Sequence, residues 1–497
     1  MLANTSSGVR FSSAAGRWIL AATVLGSGMA QLDATVVNVA LPAIGHDLNT
    51  EVGGLQLVVS AYSVTLAALI LLSGSLGDRL GRKRIFVVGV AWFAVASAIC
   101  ALAPTAQMLI AARALQGVGG ALLTPGSLAI IQSVFMPADR GKAIGAWSAL
   151  GGVAAAIGPL LGGYLVQAIS WRAIFLINVP LGALVAWLAL RHVPESRAPS
   201  SAGRLDYAGA TTATAGLAGA TVAFVEGPNR GWDSPVVLAA GVLGAVAMVA
   251  FAVIERRTAN PMLPLGIFSS RQFTSANAVT FVVYTALGGV FFLLVVVLQT
   301  ALGYSPVAAG AASLPVTAIM LALSSASGAL AQRIGPRLPL TIGPLVIAAG
   351  MVLMTRIGPG ASYGTVVLPA VVVFGLGLAA TVAPVTAAAL AAADERHAGV
   401  ASGVNNAVAR TAGLLAVALL PPLSGLTGDA FRSPAAITAG FHTAMLISAG
   451  LAALGGVLAF ATISNDLLAE EPAEEPQNHH YHCALAEVPA AERGVRG

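Results

Sequence analysis

Charge is scarce in this chain: acidic and basic residues fill 9% of its 497 positions, where an ordinary soluble protein carries about 25%. A water-soluble globular fold is excluded on that ground. Cysteine is scarcer still, and the two present, Cys100 inside an apolar run and Cys483 near the C-terminus, cannot build a disulfide framework. Lysine occurs only as Lys83 and Lys142, and the other basic residues are arginines that punctuate apolar runs instead of gathering in one patch. The formal charge of +5 therefore does not indicate a nucleic-acid partner. A Walker phosphate loop is missing as well, which removes support for ATP-driven work. Nothing calls for a metal or an organic cofactor. His479, His480, His482 and Cys483 share an acidic, proline-bearing tail whose composition reads as disordered and solvated.

What the chain does have is apolar sequence, 57% of it. A helix needs roughly 20 apolar residues to cross the hydrocarbon, and lipid tolerates no irregular backbone, so the long apolar runs read as spanning helices. Fourteen can be placed, giving an all-α integral membrane fold. The expected organisation is an N-terminal arm (1–17), six helices (18–191), a loop (192–206) and two further helices (207–254). A second loop (255–275), six more helices (276–463) and a disordered tail (464–497) complete it. The fifth span is expected over Ala143–Val166, with Ala138 to Ala143 as the loop before it. An even count places both termini on one side. Seventeen basic residues fall in loops on that side and four in loops on the other, so both ends are expected in the cytoplasm.

An internal repeat supports the same division. Gly328 to Arg337 aligns without gaps on Gly74 to Lys83, with Gln332 where the first copy has Asp78. GVGGALLTP, Gly117 to Pro125, is echoed by GLGLAATVAP, Gly375 to Pro384, and ADRGKA at Ala138 is echoed by ADERHA at Ala393. Two pseudo-symmetric six-helix bundles then flank an inserted pair, an arrangement that places a site between the bundles near the membrane midplane and operates by alternating access.

Three ionisable residues fall inside spans, where a charge costs at least a few kcal/mol unless it is paired or faces a cavity. Counted from Pro42 and Pro104, which mark the same side, Asp33 and Arg113 each lie about 13 Å deep at 1.5 Å per residue. They are level and opposite in sign. Gln116 shares the face of Arg113 one turn on, and Asn38 is a further candidate for the cavity lining. Arg410 has no acid at matching depth. Glu226, at the end of the seventh span, reads as a surface acid.

GSLGDRLGRKR, Gly74 to Arg84, reads as a short turn between antiparallel helices, and at Gly74, Asp78, Arg79, Gly81 and Arg82 it resembles the loop signature of the major facilitator superfamily. QLDATVVNVALPAI from Gln31, LIAARALQGVGGA from Leu109 and AAAIGPLLGG from Ala154 resemble helix signatures of the fourteen-helix drug:proton antiporter branch. In the last of these Ala154 departs from the usual first glycine, while Gly158, Pro159, Gly162 and Gly163 match. WRAIFLINVPLG from Trp171 and LDYAGA from Leu205 are also typical of that branch.

The resemblance implies a transporter, not an enzyme, in the cell membrane, exporting drugs or antibiotics in exchange for protons. It also implies that Asp78 helps hold the cytoplasmic ends of the bundles together, that Arg113 assists proton movement, and that the glycines of helix 5 seal the outer end. Burial disfavours the charged form of Asp33 and a guanidinium favours it, so its protonation is expected to follow the state of the protein. The expected partners are protons, the lipid bilayer and a hydrophobic or cationic small molecule, carried by a monomer. Two alternatives stand beside this reading: a dedicated exporter of one endogenous metabolite, and a channel or membrane sensor.

Overall fold

A computed structural model describes residues 8–197, 206–259, 261, 263–392, 398–427 and 433–468. The histidine-bearing tail lies outside the described residues, as do Arg204 and Arg396. Among the described residues the backbone is helical apart from turns and one isolated bridge between Val9 and Phe135.

The first six helices are α1 (Ala14–Asp47), α2 (Val52–Leu80), α3 (Arg82–Ala101), α4 (Ala106–Val134), α5 (Pro137–Ala168) and α6 (Ala173–His192). The inserted pair is α7 (Tyr207–Arg230) and α8 (Pro235–Arg257). The last six are α9 (Arg271–Thr300), α10 (Pro306–Ile334), α11 (Arg337–Met354), α12 (Tyr363–Ala391), α13 (Ala398–Leu423) and α14 (Pro434–Thr462). Among the described residues thirteen stretches are long and apolar enough to cross a membrane. The remaining helix, α5, has the length for it at 32 residues.

Prolines set the irregularities. α6 is interrupted at Ile177, where Pro180 cannot donate to the carbonyl of Leu176, and α10 at Ser313, where Pro315 likewise leaves Ala311 without its helical donor. α12 opens with one wide π turn, Tyr363–Val367, just before Pro369.

The two groups of six pack by one scheme. α4 lies on α2 and α3, α1 on α5 and α6, and α3 on α6; correspondingly α12 lies on α10 and α11, α9 on α13 and α14, and α11 on α14. Between the groups, α2 meets α13, α5 meets α10, and α1 meets α9. The first two seams are counterparts under the same repeat. The inserted α7 and α8 pack on each other, and α7 covers the α2–α13 seam. Outward on α8, Val242, Leu243 and Val249 are well exposed, the apolar surface a lipid-facing helix requires.

Sequence expectation and structure part company at three helix ends. The turn expected at Gly74 to Arg84 is one residue long: α2 continues to Leu80, α3 starts at Arg82, and Gly81 alone breaks the helix with φ 113°. Polar residues do not end a helix whose backbone bonds can continue into water, so charge content there overstated the loop. ADRGKA is not a loop either, since α5 already begins at Pro137, where a proline at the first helical position loses no bond. The first helix starts at Ala14 instead of Trp18, capped by the Ser13 hydroxyl, which accepts from the Gly16 N–H at 3.0 Å. The arm before it is pinned: Val9 N–H donates to Val134 at 2.8 Å, and Phe11 N–H donates to the Asp139 carboxylate at 3.0 Å. That backbone donor, with help from Lys142, holds the Asp139 carboxyl below the usual carboxylate range.

The Gly81 break has a twin. Gly335, between α10 and α11, has φ 85°, and both angles suit glycine alone among common residues. A Cβ on Gly81 would meet Glu195 Oε1 at 2.6 Å, and one on Gly335 would meet Asn465 Oδ1 at 2.7 Å. Glu195 follows α6 and Asn465 follows α14, so the repeat extends to the side chain laid over each break. Glu195 also accepts from the N–H groups of Lys83 at 3.1 Å and Arg84 at 3.2 Å, placing a negative charge at the positive end of α3.

Candidate functional site

The densest polar cluster in the described interior is built by four helices of the first bundle. α1 brings Asp33, α4 brings Arg113 and Gln116, α3 brings Ser97, and the restart of α6 after its proline break brings Asn178. All five are at most 1% exposed. One carboxylate oxygen of Asp33 accepts from Arg113 Nη1 at 2.5 Å, and the other accepts from Gln116 Nε2 at 2.8 Å and Asn178 Nδ2 at 3.3 Å. Ser97 Oγ accepts from Gln116 at 3.1 Å and Asn178 at 3.0 Å and donates to the Phe175 carbonyl at 3.0 Å. Cys100 adds a long contact, its thiol 3.6 Å from Gln116 Oε1.

Arg113 does not depend on Asp33 alone. Its Nη1 also donates to Gln116 Oε1 at 2.6 Å, and its Nε donates to the Val58 carbonyl on α2 at 3.2 Å. The guanidinium lies 4.4 Å from the centre of the Tyr62 ring and 5.8 Å from that of Phe175, contacts that favour a cation on an aromatic face. A proton arriving on Asp33 would weaken one bond of Arg113 and leave the carbonyl, the amide and the ring in place.

Asp33 and Arg113 thus meet as their matched depth suggests, with Gln116 between them. The expectation that this pair faces a gap between the bundles is not met in this conformation. Both oxygens are engaged by donors of the first bundle, because the small residues of α4 draw α2 and α3 in close: a Cβ on Gly119 would stand 2.8 Å from the Phe93 backbone. No cationic substrate can touch Asp33 here. Asn38 does not join the cluster, and its Oδ1 is buried without a partner.

The other predicted residues lie elsewhere. Arg79, Gly81 and Arg82 sit at the α2–α3 break, with Gly74 about two turns before it inside α2; the side chain of Asp78 lies outside the described residues. On α5, Gly158 and Gly162 face α1, where added Cβ atoms would crowd Thr35 and Val36, next to the Pro159 that interrupts helical bonding. Gly163 faces the other bundle: a Cβ there would meet Pro306 and Val307 of α10 at 2.7 Å, while one on Gly310 would meet the Pro159 carbonyl. Glu226 pairs with Arg230.

The hydrogen bonds that Gln56 and Gln299 make across the two bundles lie in the half away from the α2–α3 break. Gln56 Nε2 donates to the carbonyls of Val417 at 2.7 Å and Ala418 at 3.4 Å, and Gln299 Nε2 donates to that of Val39 at 3.0 Å. An apolar cluster that includes Val39, Leu41, Leu55, Leu294, Val417 and Leu420 surrounds them.

Ser97, Asn178, Tyr62 and Glu195 escaped the sequence reading as site residues. Asn178 had a signal, a lone amide in an apolar run two residues before a proline. Ser97 and Tyr62 had none: a serine in a span can satisfy itself on its own helix, and a tyrosine in an apolar run reads as ordinary packing.

Comparison with known proteins adds the following. The Major Facilitator Superfamily profile matches residues 23–417. The chain is 38% identical over 464 residues to a puromycin resistance protein of Streptomyces alboniger, covering 90% of this chain and 91% of that one. It is 35% identical over 420 residues to a methylenomycin A resistance protein of Bacillus subtilis, covering 84% and 89%. To a tetracenomycin C resistance and export protein of Streptomyces glaucescens it is 34% identical over 416 residues, covering 83% and 77%. Among solved structures, a bacterial homologue of the human lysosomal transporter Spinster, inward-facing and unoccupied, superposes with a TM-score of 0.67 at 18% identity, covering 93% of this chain and all of that one.

Proposed function

The chain belongs to the major facilitator superfamily, and on that premise we propose that this multi-pass membrane transporter is a proton-coupled antiporter exporting drug-like, amphipathic compounds. The resistance proteins it is similar to support export of antibiotics. The single observation that carries the proton half is the Asp33 cluster, an acid whose guanidinium partner keeps three other contacts when the acid is neutralised.

In this mechanism the two bundles rock about the seams α2–α13 and α5–α10. The arginine bias supports cytoplasmic termini, and the bonded half then faces outward, so this conformation is open to the cytoplasm. Substrate enters from that side. Protonation of Asp33 weakens its hold on Arg113, the guanidinium turns toward Val58 and Tyr62 of α2, and the α2–α13 seam shifts. One charge moved through about 100 mV is worth roughly 2.3 kcal/mol, enough for an approximately fifty-fold gradient. The transporter works as a monomer, since both bundles come from one chain.

The test is substrate-induced proton release from energised everted vesicles, read with a pH-sensitive dye over a panel of antibiotics. Asp33→Asn should abolish the release while a correctly folded protein still binds substrate. Proton release unchanged by Asp33→Asn would remove this acid from the mechanism. Transport confined to one compound of the panel would favour a dedicated exporter.

A further inference from the structure

Among the described residues, Arg410 is the cation within a spanning helix that the Asp33 cluster leaves out. It stands near the middle of α13, twelve residues into a helix of 26, and its Nε donates to Asn406 Oδ1 at 3.1 Å. Among the described residues neither terminal nitrogen has a hydrogen-bond acceptor, and no carboxylate lies within ion-pair distance. The residue is only partly buried. An interior charge without a counter-ion is costly and marks a functional position.

The surroundings fit a ligand. α13 packs both on α9 of its own bundle and on α2 of the other, so Arg410 belongs to the seam. The phenol groups of Tyr62 on α2 and Tyr284 on α9 lie within electrostatic reach of its guanidinium. Seven residues outward, about 10 Å along the helix, Gln56 closes the seam on Val417. Arg410 thus sits just inside the closure, at the depth where alternating access exposes a site to one side and then the other. Arg113, over the face of Tyr62, is already neutralised by Asp33, which leaves Arg410 as the uncompensated positive charge of this region.

We propose that Arg410 is the recognition point for an acidic group, a carboxylate or phenolate, on the compounds this transporter carries, with Tyr284 beside the aromatic or apolar part of the molecule. Guanidinium suits the task because its planar fork takes a carboxylate through two parallel hydrogen bonds. The consequence is a preference for acids over matched neutral or cationic compounds. This proposal rests on the transport reading above for its location and directs that reading away from cations.

The test uses the full-length chain in nanodiscs and three radiolabelled probes on one scaffold: 2-naphthylacetate, its methyl ester, and 2-(2-naphthyl)ethylamine. The parent should bind the carboxylate at least tenfold more tightly than the ester, and the amine least. Arg410→Gln should bring carboxylate and ester to within about twofold of each other without weakening the ester, and Arg410→Lys, a point charge without the fork, should fall between. In the parent, phenylglyoxal modification of Arg410, read by peptide mass spectrometry, should be suppressed by 2-naphthylacetate and not by the ester; this measurement decides the matter should the glutamine variant not fold. Equal binding of acid and ester by the parent, an acid preference that survives Arg410→Gln, or labelling that 2-naphthylacetate fails to suppress each overturns the proposal. Binding is read without a gradient, so a preference lost with Arg410 stands even where proton coupling at Asp33 fails, and an unchanged ratio leaves proton exchange intact.

Discussion

The first and last six helices share a packing scheme and differ in what they pack. Set in register by Gly117 with Gly375 and Gly119 with Gly377, Arg113 corresponds to Val371 and Gln116 to Phe374, which are 0% and 1% exposed. The glycines keep one job in both copies: a Cβ on Gly119 would strike Phe93 of α3, and one on Gly377 would strike Ile347 of α11. The second bundle's own buried polar contact is neutral, Asn405 donating to Asn277 at 3.2 Å and to Thr280 at 2.9 Å. The fold therefore requires small residues at these crossings and does not require charge. Among the described residues a buried guanidinium–carboxylate pair is held in one of the two equivalent interiors and not in the other, so it is there for a reason other than architecture.

The sharpest way to break that comparison is to make the first bundle resemble the second. Arg113→Leu leaves Asp33 buried without its cation and should destabilise the protein by about 3–5 kcal/mol, the cost of removing one partner of a buried pair. Adding Asp33→Leu should restore most of the loss while transport stays dead. Denaturant unfolding of the purified protein in micelles measures both, and a double variant no more stable than the single one would mean that the ion pair is part of the architecture after all. The mirror change, Val371→Asn in α12, should cost about 1–3 kcal/mol, because that interior has no partner waiting for an amide.

The two seams offer a second contrast. α5 meets α10 through bare backbone at Gly163, and α2 meets α13 through a side-chain bond from Gln56. Gly163→Val should prevent the halves that carry Gln56 and Gln299 from closing and reduce transport at least tenfold, because backbone cannot yield to the added atoms. Gln56→Ala removes one hydrogen bond, worth about 1 kcal/mol, and should shift the open and closed populations by roughly fivefold. Alkylation of single cysteines placed on the outer face reports both, and similar effects at the two seams would erase the distinction.

The smallest effect tests how faithful the repeat is. Gly81→Ala and Gly335→Ala each force an alanine into a positive-φ extended conformation that glycine alone adopts readily, at about 1–3 kcal/mol. Gly81→Ala should cost more, since it also displaces the charged Glu195 from the start of α3, whereas Gly335→Ala displaces the neutral Asn465. Thermal unfolding in low and high salt separates the two contributions: only the Gly81 variant should lose part of its deficit in high salt.

Much of the architecture was legible in the residues because lipid removes choices. A run of apolar residues cannot be a loop at membrane depth, so Arg271–Thr300 or Pro434–Thr462 had to be helices. Helix ends were less legible. At Gly74 to Arg84 and at Ala138 to Ala143 polar composition reads as loop, yet in water at the membrane surface a helix carries charge without penalty. For the site, matched depth was enough to pair Asp33 with Arg113, since both are counted along rigid rods. Ser97 and Asn178 were out of reach because their part depends on how α3 and α6 are rotated about their axes.

Composition and periodicity by themselves determined an all-helical membrane fold, its duplicated halves, and the residues whose charge must be accounted for inside it. Those are one-dimensional facts, fixed by hydrophobic length and by the cost of an unpaired charge in lipid. Only the tertiary arrangement decided which charges meet. It turned Asp33 inward to donors of its own bundle and left Arg410 open on the seam, because partner choice follows helix rotation and close approach, which a linear count of residues cannot express.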